Sequence, residues 1–312
     1  MDIAQIRLFV LATEKKNIGG AGRDLGLAPA VASARLSKLE QDLGVHLLHR
    51  STRKVSLSQA GEEFLPFARE ILAQDAAARA ALGQSGTEAT GTLRFAASST
   101  FAQLYIVPLL PGFLRENPGV SLDLRLSDTP INFIDGSFDL ALRSAPLEDS
   151  NLKGRKLAND PRILCAAPEY IREHGAPQSP ADLTKHTLIA WRDKTPRRLL
   201  HGEDIVGVFD PKVAGCRLVV DDGFSQKLAT MAGGGISLNS LWSVHRELMS
   251  GELVRVLPEV TVMDGAVLWL VYSNTSVLSP VVRVFIDFLV EKISKNPPWL
   301  EPIPTSSVVS VP

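Results

Sequence analysis

The chain has 312 residues, 45% of them apolar and 21% charged, with a formal net charge of −1. Such a length predicts two or three domains, with enough apolar residues for sizeable cores. No uninterrupted apolar run of about 18 residues occurs, which excludes a membrane-spanning helix, and the opening Met1-Asp2-Ile3-Ala4-Gln5 has neither the basic nor the apolar region of a secretion signal, so a cytoplasmic protein is expected.

Ile3, Ile6, Phe9 and Val10 recur at helical spacing over residues 3–14. A short second helix is predicted over 18–25, then a tight turn at Leu25-Gly26-Leu27. A third helix starts near Pro29, where a proline loses nothing because its N–H would be unpaired. It runs through Val31, Leu36 and Leu39 to about Leu43, and Gly44 ends it. Leu47-Leu48 and Val55-Ser56-Leu57 flank the basic stretch His49–Lys54, two short strands around a charged tip. A long helix follows over 60–83, with an apolar stripe of Phe64, Phe67 and Ile71 beside Leu65, Ala68 and Leu72. The stripe packs either on the helix's own domain or along an antiparallel dimer seam. Gly83–Thr87 reads as a hinge.

From Gly91 strands alternate with helices, the pattern of an α/β domain with a mainly parallel sheet. Strands are expected at 92–97, 120–126 and 138–143, a helix through Leu104, Val107 and Leu110, further strands of a second lobe at 160–166 and 216–221, a late strand at 267–272 and an amphipathic helix over 280–291. The Pro-rich segment from Pro297 reads as a poorly ordered end.

Charge is distributed unevenly. Residues 1–60 carry nine Lys/Arg and five Asp/Glu, a surplus of four positive charges that leaves −5 for the rest. A basic head on an acidic body suits contact with phosphates. Two helices joined by a tight turn follow the helix-turn-helix plan, whose second helix enters the major groove. Bulky residues at its start would hold it off, so Pro29-Ala30-Val31-Ala32-Ser33, with Ala34, suit close approach. Ser33, Ser37 and Lys38 reach phosphates or base edges, and Arg35 is the candidate for bidentate readout of guanine. Arg50, Thr52, Arg53 and Lys54 on the wing would grip phosphates or enter the minor groove. The plain alternative for Arg35 and Lys38 is a solvated helix surface.

The N-terminal stretch with "LGVHLLHR" and "TRKVSLSQAG" resembles the DNA-binding domain of LysR-type transcriptional regulators, and "GTLRFAAS", "LPGFLRENPGVSLDL", "DLALR", "GISLNSLW" and "LSPVVRVFIDFLVE" resemble that family's effector domain. The wing and the "DLALR" strand are most similar to the subgroup with regulators of malate and aromatic-compound metabolism. The resemblance implies an N-terminal winged helix-turn-helix (1–59) that is all-α apart from its wing, a linker and dimerisation helix with hinge (60–87), and a two-lobed, periplasmic-binding-protein-like α/β effector domain (88–300). Lobe I spans about 91–160 and 267–300, lobe II about 161–266, and 301–312 form a tail. It implies a homodimer or homotetramer on an interrupted inverted repeat of double-stranded DNA, a small-molecule effector between the lobes, RNA polymerase as a partner, and no membrane.

Two departures from the family pattern stand out. Ala28 occupies the position before the recognition helix where the family has Ser or Thr, removing a cap worth about 1 kcal/mol. Gly19, Gly20 and Gly22 in the second helix predict local softness, since each interior glycine costs roughly 0.5–1 kcal/mol.

In the effector domain the first strand ends at Ala97, and Ser98, Ser99, Thr100 and Phe101 open a helix whose hydroxyls and free N–H groups make an anion cradle or a plain cap. Arg143, ending "DLALR", complements a carboxylate ligand or pairs with a local acid such as Asp139. Asp128, Trp191, Asp222 and Phe224 are further pocket candidates, Trp191 equally a core residue. The expected effector is therefore anionic.

Enzymatic readings find little support. Gly20–Gly26 misses the GxGxxG spacing and follows a helix. No GxxxxGK[ST], HExxH or GxSxG occurs, and the six histidines lack metal-ligand spacing. Cys165 and Cys216, 51 residues apart, read as buried structural thiols, with a redox pair as the alternative. Neither cofactor nor metal is expected. A solute-binding protein without a DNA role is the competing class, and the basic head argues against it.

Overall fold

The structure is a computed structural model that describes residues 1–50, 55–81, 89–128, 138–144, 152–192, 194–273 and 278–300. The head opens with α1 (Ile3–Lys15), capped by Asp2 and Gln5 in a reciprocal capping box. In α2 (Ile18–Asp24) the Asn17 side chain accepts from Gly20 N at 2.9 Å. Gly26, at φ +66°, makes the tight turn, and α3 (Pro29–Leu43) follows, its N-terminus at Ala28 without a side-chain bond and its C-terminus closed by left-handed Gly44. The wing strands β1 (Leu48–Arg50) and β2 (Val55–Leu57) pair antiparallel, Leu48 opposite Leu57. A single core of Ile6, Leu8, Phe9, Leu36, Leu39 and Leu47 holds the head, each fully buried side chain contributing about 1.5–3 kcal/mol.

Gly22 in α2 has a packing role besides its effect on the helix. A Cβ there would lie 2.7 Å from the Ala32 Cβ, so this glycine is what lets α2 and α3 approach closely. Gly20 has ordinary room beside Asn17.

The linker helix α4 (Gln59–Ala81) starts with Ser58 Oγ accepting from Gly61 N. A Cβ at Gly61 would run into the Leu47 carbonyl oxygen, which explains the glycine at the end of the head motif. Its apolar stripe is divided. Phe64 meets Phe9 with ring centroids 5.6 Å apart, and Ile71 packs on the head core. Phe67 is 63% exposed. The hinge expected at 83–87 lies outside the described residues.

The effector body begins with β3 (Gly91–Ala97), followed by α5 (Ser99–Phe101), a π-turn, a 3₁₀ turn and α6 (Leu110–Glu116). The break has a local cause: Pro108 and Pro111 cannot donate to the preceding turn, and Val107 N–H reaches Ala102 O instead. Next come β4 (Val120–Leu126), β5 (Leu140–Ser144), β6 (Leu152–Asn159), β7 (Arg162–Ala166), α7 (Pro168–His174), β8 (Leu188–Trp191), β9 (Arg197–His201) and β10 (Asp204–Phe209). The chain continues through β11 (Leu218–Val220), α8 (Gly223–Met231), β12 (Ile236–Ser240), α9 (Leu241–Ser250), β13 (Val254–Val256), β14 (Thr261–Val262), β15 (Val267–Ser273) and α10 (Pro280–Leu289).

These strands form two five-stranded sheets, β4-β3-β5-β15-β6 and β11-β8-β12-β7-β13, with a smaller sheet β10-β9-β14. The sheets are mixed rather than mainly parallel: β15 pairs antiparallel with β5 and β6, and β12 and β13 with β7. The reason is connectivity. The chain leaves the first sheet after β6 and returns into β15, and Asp160 N donates to Ala266 O at 3.1 Å where these two passages meet. The lobes are also strapped by α9. Trp242, expected in the second lobe, sits in the first lobe's core against Phe101, and its carbonyl accepts from Tyr105 Oη at 2.7 Å.

The expected disorder from Pro297 is overturned up to Leu300. Trp299 is fully buried against Phe101 and Tyr105, because a large aromatic gains more by filling that cluster than the short segment loses in entropy. Cys165 is buried beside Ser237 and Asn239, its thiol pushed up to about 11 by burial. Cys216 is only half-buried, so the pair is not uniformly interior.

Candidate nucleic-acid interface and effector cleft

Helix α3 has two distinct faces. Ala32, Leu36, Leu39 and Glu40 recur at i, i+4, i+7, i+8 and are buried, while Pro29, Ala30, Ala34, Arg35 and Lys38 are exposed. Ser33 and Ser37 lie half-buried between the two. The α3 part of the expected reading surface is thus exposed at Pro29, Ala30, Ala34, Arg35 and Lys38 and only half-exposed at its two serines. Glu40, which looks like a surface charge in the sequence, is buried, and its Oε1 accepts from Leu47 N at 2.9 Å and Leu48 N at 3.2 Å. It ties the helix to the root of the wing. The Arg50 side chain and residues Thr52, Arg53 and Lys54 lie outside the described residues.

The expected effector residues separate into groups. Thr100 and Gly223 bring the lobes into contact: a Cβ on Gly223 would be 3.2 Å from Thr100 Oγ1 and 3.8 Å from the Trp191 ring. Thr100 is 2% exposed, and its hydroxyl has no partner among the described residues. A buried orphan of this kind calls for a ligand or water. The free helix N–H groups expected after Ser98 are partly occupied, because Asp128 Oδ1 accepts from Ser99 N at 3.1 Å. A carboxylate of the chain itself therefore stands where an anion was expected. Asp222 caps α8 through Ser225 N at 2.8 Å. Burial alone would raise its carboxyl, but the bonds from Ser225 and Phe224 hold it below the usual range.

Phe101 belongs to the first lobe's core rather than a ligand wall. Phe224 is 45% exposed, with Lys227 Nζ 5.5 Å from its ring centre. Arg143 is half-buried, opposite Trp269 in the sheet. Asp139, its suggested local partner, instead accepts from Arg94 N at 2.7 Å. Positive charge gathers elsewhere, around a cavity of about 520 Å³ lined by Ser144, Arg162, Arg197, Arg198 and Asp264. Sequence reasoning missed these arginines. The Arg197-Arg198 pair is visible after Pro196, but nothing local says that the crossing strands face it.

A two-helix reading head with a wing, joined by a long helix to two α/β lobes that meet at a buried hydroxyl, defines a ligand-responsive DNA-binding regulator. The profile described as "Bacterial regulatory helix-turn-helix protein, lysR family" matches residues 3–62, and that described as "LysR substrate binding domain" matches residues 86–294. The chain belongs to the LysR family of transcriptional regulators. It is 31% identical to the HTH-type transcriptional regulator DmlR of Escherichia coli K12, over 94% of this chain and 95% of that one. It is 30% identical to the HTH-type transcriptional activator AaeR of the same organism, over 93% of each. The structure of CrgA, a LysR-type transcriptional regulator from Neisseria meningitidis, is similar at TM-score 0.58 and 28% identity, covering 93% of this chain and 98% of that one. Full-length AphB of Vibrio cholerae shares the fold at TM-score 0.58 and 24% identity, over 93% of this chain and 99% of that one.

Proposed function

We propose that this regulator reads an interrupted inverted repeat as a dimer, each protomer placing α3 in the major groove. Arg35 reads guanine, Lys38, Ser33 and Ser37 hold phosphates or base edges, and Pro29, Ala30 and Ala34 permit close approach. Arg50, Thr52, Arg53 and Lys54 anchor the wing on the backbone. The observation that carries this reading is the exposed face of α3, whose leading turn presents Pro29, Ala30 and Val31 and nothing larger. Dimers form through α4, with the exposed Phe67 ring in the seam while Phe64 and Ile71 brace the helix on its own head, and pairs of dimers join through the effector domains. A small molecule between the lobes, near Thr100, Trp191 and Asp222, shifts the arrangement of the dimers, and with it promoter access for RNA polymerase. The chain regulates rather than catalyses, and it acts in the cytoplasm, on DNA.

The test is a mobility shift on the DNA flanking the chain's own coding region. The wild-type chain is expected to give a specific shift that Arg35→Ala loses, with affinity falling steeply with salt if about six phosphates are neutralised per dimer. An equal, salt-insensitive shift for both proteins would refute the role of α3.

A further inference from the structure

Arg23 is the one cation of α2 and stands in its last turn. A basic side chain there ordinarily faces the free carbonyls of its own helix end. The Arg23 guanidinium lies elsewhere. Helical side chains lean toward the N-terminus, so positions 19 and 23 are neighbours on one face. A Cβ placed on Gly19 would have Arg23 Nη1 at 4.0 Å and the Pro29 Cβ at 3.9 Å. The guanidinium therefore rests over a helix position that has no side chain, and the first residue of α3 borders the same spot. Arg23 and Pro29 are both exposed, so the charge stands in solvent beside the leading turn of α3.

The surroundings leave that charge unspent. Asp24, the next residue, pairs with Lys15 of α1. Arg7 and Arg69, by contrast, have Asp75 and Glu14 within 4.0 Å. Among the described residues no carboxylate pairs with Arg23. Docking geometry says what stands opposite. When the second helix of a helix-turn-helix lies in the major groove, the first crosses the sugar–phosphate backbone. A cation on α2 at the entry of α3 then faces the edge of the groove, where phosphates run, rather than its floor, where bases are read.

We propose that Arg23 is a further DNA contact of this regulator, a clamp on a backbone phosphate flanking the recognition helix, placed there by the gap at Gly19. This rests on α3 being the recognition helix, and it adds a contact outside both α3 and the wing. A guanidinium fork matches phosphate oxygens. A contact of this kind fixes the register of the protein on the duplex and carries no sequence information of its own. Gly19 thereby gains a role. In the sequence it is a cost to the helix, and in the structure it keeps a face of α2 open for the side chain one turn on.

The experiment is a fluorescence-anisotropy titration of the full chain over a series of salt concentrations. Two labelled duplexes of equal length serve as probes, the DNA flanking the chain's own coding region and a shuffled sequence of the same composition. The wild type is compared with Arg23→Ala, Arg23→Lys, Gly19→Leu, Arg35→Ala and Lys212→Ala, the last removing an exposed charge from the second lobe. Melting temperatures confirm that each variant folds. Arg23→Ala is expected to weaken both duplexes by one common factor, about three- to tenfold per protomer near 0.1 M salt, and to make the fall of log affinity with log salt shallower by about 0.9 per protomer. Arg23→Lys keeps most of that slope. Gly19→Leu leaves the net charge unchanged but fills the space under the guanidinium, and it loses part of the slope. Arg35→Ala weakens the flanking duplex more than the shuffled one, and Lys212→Ala changes neither. Wild-type affinity and slope in Arg23→Ala, a loss confined to one duplex, an equal loss in Lys212→Ala, or a Gly19→Leu chain that matches the wild type would each overturn the proposal. Discrimination lost in Arg35→Ala while Arg23→Ala binds as the wild type strikes this contact and leaves α3 as the recognition helix. Unchanged binding in both variants strikes the role of α3 as well.

Discussion

Glu40 is where the head's recognition helix and wing are joined by one side chain. Its carboxylate takes two backbone N–H groups at the root of β1, and both donors are buried with it. Both donors reach the same oxygen, Oε1, so Glu40→Gln can keep them, whereas Glu40→Leu leaves two buried N–H groups unpaired, and a cost of about 1–3 kcal/mol is expected for it in urea unfolding. A change below about 0.5 kcal/mol in Glu40→Leu would mean that water satisfies Leu47 and Leu48 as well as the carboxylate does. The helical period puts Glu40 on the buried stripe of Ala32 and Leu36, but nothing local says what would satisfy its charge there, because its partners arrive seven and eight residues later. Arg35 and Lys38 were legible for the opposite reason: exposure on a helix follows from the buried positions three and four residues away. In the second lobe, His186 is buried with Nδ1 3.3 Å from Tyr170 Oη. Burial, and then the nearby His174, lower it from its ordinary value of 6.5. A histidine kept neutral by folding stabilises fully above 6.5, and this stability is lost as pH falls through its lowered value. Thermal unfolding of the wild type should therefore steepen below pH 6.5, and His186→Gln should flatten that part of the profile. An unchanged profile in the variant would assign the acid sensitivity to other groups.

Ala28, Gly20 and Gly22 all depart from the family pattern in the reading head, but replacing the first two is expected to stabilise it and replacing the third to destabilise it. Ala28 already has the extended geometry of an N-cap, φ −62° and ψ 147°, without a side-chain bond. Ala28→Ser is expected to stabilise the head by about 1 kcal/mol. Gly20→Ala should add roughly 0.5–1 kcal/mol, since the new methyl has ordinary room. Gly22→Ala should cost about 1–3 kcal/mol, because it overpacks the Ala32 contact. Separate unfolding measurements of the three single variants check this, and a stabilising Gly22→Ala would show that α2 and α3 can part at little cost. Periodicity alone located α1, α3, α4 and α10 to within a few residues, since a helix's apolar stripe is written in its own segment. It could not foresee the π-turn between α5 and α6 or the mixed sheets. The first depends on where the N–H groups denied by Pro108 and Pro111 leave the backbone ladder, the second on strands about 125 residues apart, such as β5 and β15, being neighbours.

Across the whole molecule, four charges tie head, linker and sensor together. Glu14 of α1 pairs with Arg94 of β3 and lies 4.0 Å from Arg69 of α4, and Arg94 also sits 3.7 Å from Asp139. Burial, and then the neighbouring Arg94, pull Arg69 down to about 10. Burial pushes the Asp139 carboxyl up, against the pull of the Arg94 backbone N–H and guanidinium. The Arg94 side chain is only 11% exposed, so this is no ordinary surface pair, for which 0–1 kcal/mol would be the rule. Residues 14 and 94 are 80 apart in sequence, and no local pattern in either stretch announces the other. The charge asymmetry between head and body was legible, but the contact that uses it was not. A cycle of Glu14→Gln, Arg94→Gln and the double variant is expected to give a coupling of about 1 kcal/mol or more in unfolding. If head and sensor communicate through this contact, the same variants must also reduce the factor by which an effector changes operator affinity, because that factor is the coupling free energy between the two sites. A large unfolding coupling with an unchanged effector response would make the network a strut, with the signal passing between protomers instead.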